Sequence, residues 1–259
     1  MNSYKHSGAL GDLIYGLVVA KYTGGGEFYL HLDQLDWVGQ YYYNSPPSEF
    51  HQGRMNQKDF EYMRPFMEAQ EYITKFDALD PATTAISHNL DRFRPPFVNH
   101  PTNYIDLYAD VFGLYKTPEI TKTIKTRPWL SVPKPRQVLS RPIVINRTTR
   151  WVPPELPKHW TFWKEQRRWE DSAVFVGLED EYARFRQLTG WTIPWHKTND
   201  MLELAETIAG ARCFIGNQSQ CYALAVGLDV PSIRCETRRD MPLERNECYF
   251  PARNQIEYF

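Results

Sequence analysis

Three short apolar runs punctuate the second half of the sequence: PIVI at 142–145, AVFVG at 173–177 and CFIG at 213–216. Each is too short for a helix, rich in β-branched or aromatic residues, and closed by glycine or polar residues, so each reads as a buried strand. The stretches between them carry helical spacing. Residues 160–169 read as helical, 179–188 put Tyr182, Phe185 and Leu188 on one face, and 200–209 (DMLELAETIA) form an amphipathic helix capped by Asn199 or Asp200. Residues 219–227 predict a further helix and 231–233 a last strand. Strands separated by whole helices cannot be joined as hairpins, so the pattern requires a parallel sheet with helices on both faces. Sheets of this kind bind ligands beyond the carboxyl ends of their strands. The loops after Ile145, Val176 and Ile215 are therefore where function is expected.

The first half repeats the alternation. A strand at 3–6 leads through a glycine-containing loop into a helix over 12–21, and Thr23-Gly24-Gly25-Gly26 then breaks the chain before an apolar strand at 27–32. Residues 56–70 place Phe60, Met63 and Met67 at helical spacing behind a potential cap, Asn56. A strand at 72–76 and a helix over 103–113, ending at Gly113, complete the series, while 37–55 reads as a surface excursion. Residues 116–140 hold four prolines and little periodicity, which suits a linker. The expected fold is α/β: two Rossmann-like domains facing a cleft, 1–125 and 126–259. One sheet running through both halves is the competing arrangement.

Composition removes several classes. Hydrophobic residues make up 42% of the 259, which excludes a mainly disordered chain, and the net charge of −1 provides no general attraction to nucleic acid or acidic membranes. Cys213, Cys221, Cys235 and Cys248 contain no CxxC pair, so zinc is not expected and free thiols in a reducing cytoplasm are. No signal peptide and no apolar stretch near the ~20 residues of a membrane helix are found, so the expected location is cytoplasmic.

Three loops could carry chemistry. The first is HSGALGDLIYGL, where Ser7, Gly8 and Gly11 precede and open a helix bearing Asp12 in its first turn. Glycines there would let a ligand approach the backbone, and a helix start favours anions. An acid in a first turn also stands there simply as a favourable charge. The second is Asn146-Arg147-Thr148-Thr149-Arg150, which puts two guanidinium forks and two hydroxyls directly after a strand, where a diphosphate would sit. A solvated polar turn explains it equally well. The third is Asn217-Gln218-Ser219, between a strand and a helix, with Ser219 able to cap the helix or to donate to a phosphate. Gly177 closes the strand between them. The histidines form no metal pair, and no G-x-S-x-G elbow supports a hydrolase.

SGALGDLIYGL near the start and LELAETIAGARCFIGNQSQCYALAVGLDVPSI near the end together resemble glycosyltransferases of the heptosyltransferase type (family 9), which have the glycosyltransferase-B fold. The resemblance implies a nucleotide-diphosphate sugar on the C-terminal domain, an acceptor on the N-terminal one, and no cofactor or metal beyond that donor. It implies Asp12 as the general base of an inverting transfer, with Ser7, Gly8 and Gly11 in the loop where donor and acceptor meet. Asn146, Arg147, Thr148, Arg150, Gly177, Asn217, Gln218 and Ser219 become the donor-binding set. The family's usual Asp-Thr/Ser-Gly turn with a following His is here Asn217-Gln218-Ser219 with Tyr222, which leaves the donor sugar open. The acceptor, a glycan or a modified nucleic acid, is open too. A phage-type DNA glycosyltransferase acting on hydroxymethylated bases and a non-catalytic nucleotide-sugar binder are the alternatives.

Overall fold

The structure, a computed structural model, describes residues 1–34, 54–93, 103–148, 158–165, 168–217, 219–234 and 255–258. The excursion expected at 37–55 lies almost wholly outside these residues, as do Arg150, Gln218, Cys235 and Cys248. Two compact units divide the chain, Met1–Ser131 and Val132–Phe259.

In the first unit, strands β1 (Asn2–His6), β2 (Gly26–Leu30), β3 (Ile73–Ala78) and β4 (His88–Asn89) form a sheet in the order β3-β2-β1-β4. Every pairing is parallel. Helix α1 (Leu10–Tyr22) crosses from β1 to β2, and its residues Leu13 to Ala20 are all buried, as its unbroken apolar sequence demands. Helix α2 (Gln57–Glu68) starts at Asn56, whose side chain accepts the N–H groups of Lys58 and Asp59, while Asp59 reaches back to the Asn56 N–H. The sequence suggests the Asn56 cap, and the structure adds the reciprocal bond from Asp59. Helix α3 (Tyr104–Val111) packs on α1, where Gly16 admits the Tyr108 ring: a Cβ at Gly16 would lie 3.2 Å from it. The glycine run before β2 has a stricter cause. Gly26 has φ +152° and a Cβ there would stand 2.1 Å from the Asn2 carbonyl oxygen, so only glycine lets β1 and β2 begin side by side.

The expected linker is only partly one. Residues 118–126 form helix α4 (Pro118–Thr126), in which Pro118 occupies the first turn, where a missing N–H costs nothing, and Ile124 is buried. Trp129 then anchors the following segment to the first unit. Its indole N–H donates to the Ile14 carbonyl at 2.9 Å, and Gln70 exchanges hydrogen bonds with Ser131. Residues 126–131, which composition assigns to the second domain, therefore belong to the first unit.

The second unit orders its strands β6-β5-β7-β8-β9, again all parallel. They are β5 (Ile143–Asn146), β6 (Ala173–Phe175), β7 (Cys213–Gly216), β8 (Ser232–Arg234) and β9 (Gln255–Tyr258), the last unforeseen. Helices α5 (Lys158–Glu165), α6 (Glu179–Thr189), α7 (Met201–Ala209) and α8 (Gln220–Gly227) connect them. Trp160, Trp163, Phe185 and Trp191 pack edge-to-face beneath α5 and α6, with Phe175 tilted against Phe185, a large apolar area fixed by ring geometry. Helix α8 resembles α1 in being buried all round, from Cys221 to Gly227. Both sheets are doubly wound orders in which the direction of strand addition reverses, between β1 and β4 in one unit and between β5 and β7 in the other. Loops at such a reversal diverge and leave a crevice for ligands.

Candidate functional site

In the first unit the crevice lies between the loops after β1 and β4. Ser7 is 1% exposed, and it donates its N–H (3.3 Å) and its hydroxyl (2.9 Å) to the two carboxylate oxygens of Asp91. Asp91, 4% exposed, sits in the 3-10 turn Leu90–Phe93 that follows β4. The Lys5 ammonium lies 3.8 Å from the same carboxylate. Burial pulls the Lys5 pKa below its ordinary value, and the Asp91 charge partly opposes that.

A second set of bonds orients the loop. Gly8 donates its N–H to His6 Nδ1 at 2.9 Å, which leaves the ring proton on Nε2, facing the Tyr108 oxygen at 3.1 Å. Tyr108 in turn donates to the Asp12 carbonyl at 3.1 Å. Asp12 is half-buried and is the third residue of α1, behind Ala9, whose side chain caps nothing. Neither Gly8 nor Gly11 has positive φ; among the described residues the glycines that do are Gly24, Gly25, Gly26, Gly113, Gly177 and Gly190. What Gly8 and Gly11 contribute at this helix mouth is the absence of a side chain.

In the second unit three strand ends are tied together by one amide. Asn146, 1% exposed at the end of β5, donates to the Val176 carbonyl at 3.0 Å and accepts the Ser219 hydroxyl at 3.0 Å. Ser219 also accepts the Tyr222 N–H and so caps α8. Its one hydroxyl proton goes to Asn146, so of the two roles expected of Ser219 the structure displays the cap. Asn217 accepts the Thr148 N–H at 2.9 Å and donates to the Thr148 hydroxyl at 3.0 Å, joining the loops after β5 and β7. Arg147, between them, is only 2% exposed. Gly177 has φ +123°, and a Cβ there would meet Asn146 Nδ2 at 2.5 Å and Glu181 Oε2 at 2.6 Å. Glu181 accepts the Leu178 N–H at 3.0 Å, and burial pushes its carboxyl pKa up.

Ser7, Gly8, Gly11 and Asp12 are thus gathered in one unit, and Asn146, Arg147, Thr148, Gly177, Asn217 and Ser219 in the other. Lys5, Asp91, Tyr108 and Glu181 are the residues that sequence reasoning missed. Among the described residues no group of three or more His, Cys, Asp or Glu could hold a metal ion, and no helix is long and apolar enough to cross a membrane.

No family model and no curated protein matches this sequence. Solved structures do match. A family 9 glycosyl transferase from Veillonella parvula superposes with a TM-score of 0.58 at 10% identity, over 90% of this chain and 79% of its own. The ADP-heptose lipopolysaccharide heptosyltransferase II of E. coli gives 0.53 at 10% identity, over 100% of this chain and 90% of that one. E. coli heptosyltransferase WaaC, solved with ADP, gives 0.53 at 12%, over 98% and 92%. The chain has the fold of these glycosyltransferases. At such identities the likeness carries architecture alone. Within this glycosyltransferase-B architecture the gathered residues occupy the strand-end loops of both Rossmann-like units.

Proposed function

We propose that this protein transfers a sugar from a nucleotide-diphosphate sugar to an acceptor hydroxyl with inversion. The second unit holds the donor, and Asp12 of the first acts as base. The acceptor oxygen attacks the anomeric carbon as its proton passes to the Asp12 carboxylate. The bond from that carbon to the diphosphate breaks, and the nucleoside diphosphate leaves with the electron pair. Arg147 and the N–H groups opening α8 would stabilise the departing charge, with no metal in the step.

The observation that carries this reading is the coincidence of each residue set with the strand-order reversal of its sheet. Ser7–Asp91 spans one reversal and Asn146–Ser219 the other. The shared fold supports it. Two measurements test it. A nucleotide-sugar that binds at a concentration 100 times its Kd should raise stability by about 2.7 kcal/mol, visible as a thermal shift. Asp12→Asn should then keep donor affinity while transfer falls about 10²–10⁴-fold. A folded Asp12→Asn protein with full turnover excludes the base role. A wild type that binds donor and transfers to no acceptor is a binder.

A further inference from the structure

The polar strand-end residues of the second unit bond mainly to one another, which leaves open what would grip the rest of a nucleotide. Trp195 lies at the margin of the buried ring cluster and packs against it. Trp160, Trp163 and Trp191 are at most 1% exposed, whereas Trp195 is only half-buried. The chain around it runs along the outer edge of β6: Phe175 accepts the His196 N–H at 2.8 Å and donates to the Pro194 carbonyl at 2.9 Å, with Trp195 paired to Phe175 in parallel. The indole is held from two sides. Its N–H donates to the Gly177 carbonyl at 3.1 Å, and one face stacks on Tyr182 with centroids 5.9 Å apart and planes at 16°. Tyr182 is itself fixed through its hydroxyl to the Ile193 carbonyl at 2.7 Å.

We propose that Trp195 is the platform on which the base of the nucleotide donor stacks. This rests on the donor reading of the second unit. An indole that is already immobilised loses little rotamer freedom when a ligand covers it, and its polar edge is satisfied without the ligand. Its place suits a base. Trp195 lies two strand positions from Asn146, roughly 10 Å at the spacing of parallel strands, a gap that a ribose bridges between a diphosphate at β5 and β7 and a base beyond β6. Stacking of this kind tolerates any base, since each presents a π-face. Trp195 would therefore provide affinity for the nucleoside part, and edge contacts would choose the base.

Calorimetric titration with ADP and UDP, and with inorganic pyrophosphate as a probe lacking a base, tests the assignment. Trp195→Ala should weaken the tighter nucleotide about 5- to 150-fold, the range that removal of a base-stacking aromatic produces. Pyrophosphate binding should stay within about twofold, and Trp195→Phe should recover most of the loss. If the alanine variant fails to fold, Trp195→Leu fills the space against Tyr182 without a π-face and should show the same selective loss. A folded variant that binds nucleotide like wild type overturns the inference, as does equal loss of nucleotide and pyrophosphate. Wild type that binds no nucleoside diphosphate at all refutes the donor reading itself.

Discussion

Replacing Asp91 with asparagine keeps the shape of the side chain that spans the crevice of the first unit and removes its charge. In the native structure the Lys5 ammonium stands 3.8 Å from that carboxylate, and both side chains are nearly covered. Unit charges at this separation attract by about 4 kcal/mol at an effective dielectric of ~20. An amide retains part of the attraction as a dipole and still bonds Ser7, so the expected loss at pH 7 is about 2–4 kcal/mol. The pH dependence identifies the cause. Lys5 titrates below the ordinary lysine value of 10.5 because burial outweighs the Asp91 charge. A lysine that binds fewer protons folded than unfolded makes stability climb as pH rises from the folded pKa towards the unfolded one. Without Asp91 the folded pKa drops further, so the climb starts at lower pH and the variant recovers ground on wild type. Urea denaturation of both proteins from pH 7 to pH 10 should show the deficit narrowing steadily. A deficit that stays constant across that range, or none at pH 7, refutes the pairing argument.

Two further outcomes follow from the second unit. Gly177→Ala adds a methyl group at φ +123° into space held by Asn146 and Glu181; it should destabilise by about 2–4 kcal/mol in urea, and a change within about 0.5 kcal/mol would count against the strand-end network. The Cys221 thiol is buried in α8, and burial, reinforced by the Glu181 charge, pushes its pKa up. Peptide mapping after alkylation at pH 8 should find Cys221 intact until denaturant is added, with half-buried Cys213 modified sooner; equal rates in the native protein would contradict the burial.

The strands that nucleate each sheet were legible because apolar runs such as IVI before Asn146 admit little else, and caps at Asn56, Asp200 and Ser219 carry a local signal. The same positional logic led to Asp12, Asn146, Asn217 and Ser219, each within a few residues of a strand end. Asp91 was not legible. It follows the two-residue strand His88–Asn89, which has no apolar run, and its partner Ser7 lies 84 residues away. Glu181 was hidden for another reason: an acid in a first turn has a sufficient local explanation, and only the fold brings Asn146 beside it. Residues 118–126 misled because proline density signals a linker, whereas Pro118 opens a helix.

The central position of β1 bears on how such a chain is made. Its Tyr4 pairs with Phe28 on one side and His88 on the other, and all its partners are parallel, so no tight turn can supply either neighbour. A ribosome adding roughly 5–20 residues per second needs roughly 4–17 s to cover the 84 residues between Ser3 and Ser87. Through that interval β1 carries an open edge and α1 an apolar surface still lacking Tyr108. The nascent protein thus presents one edge of its ligand-loop strand to chaperones, after β2 is made and before β4 can close the other side.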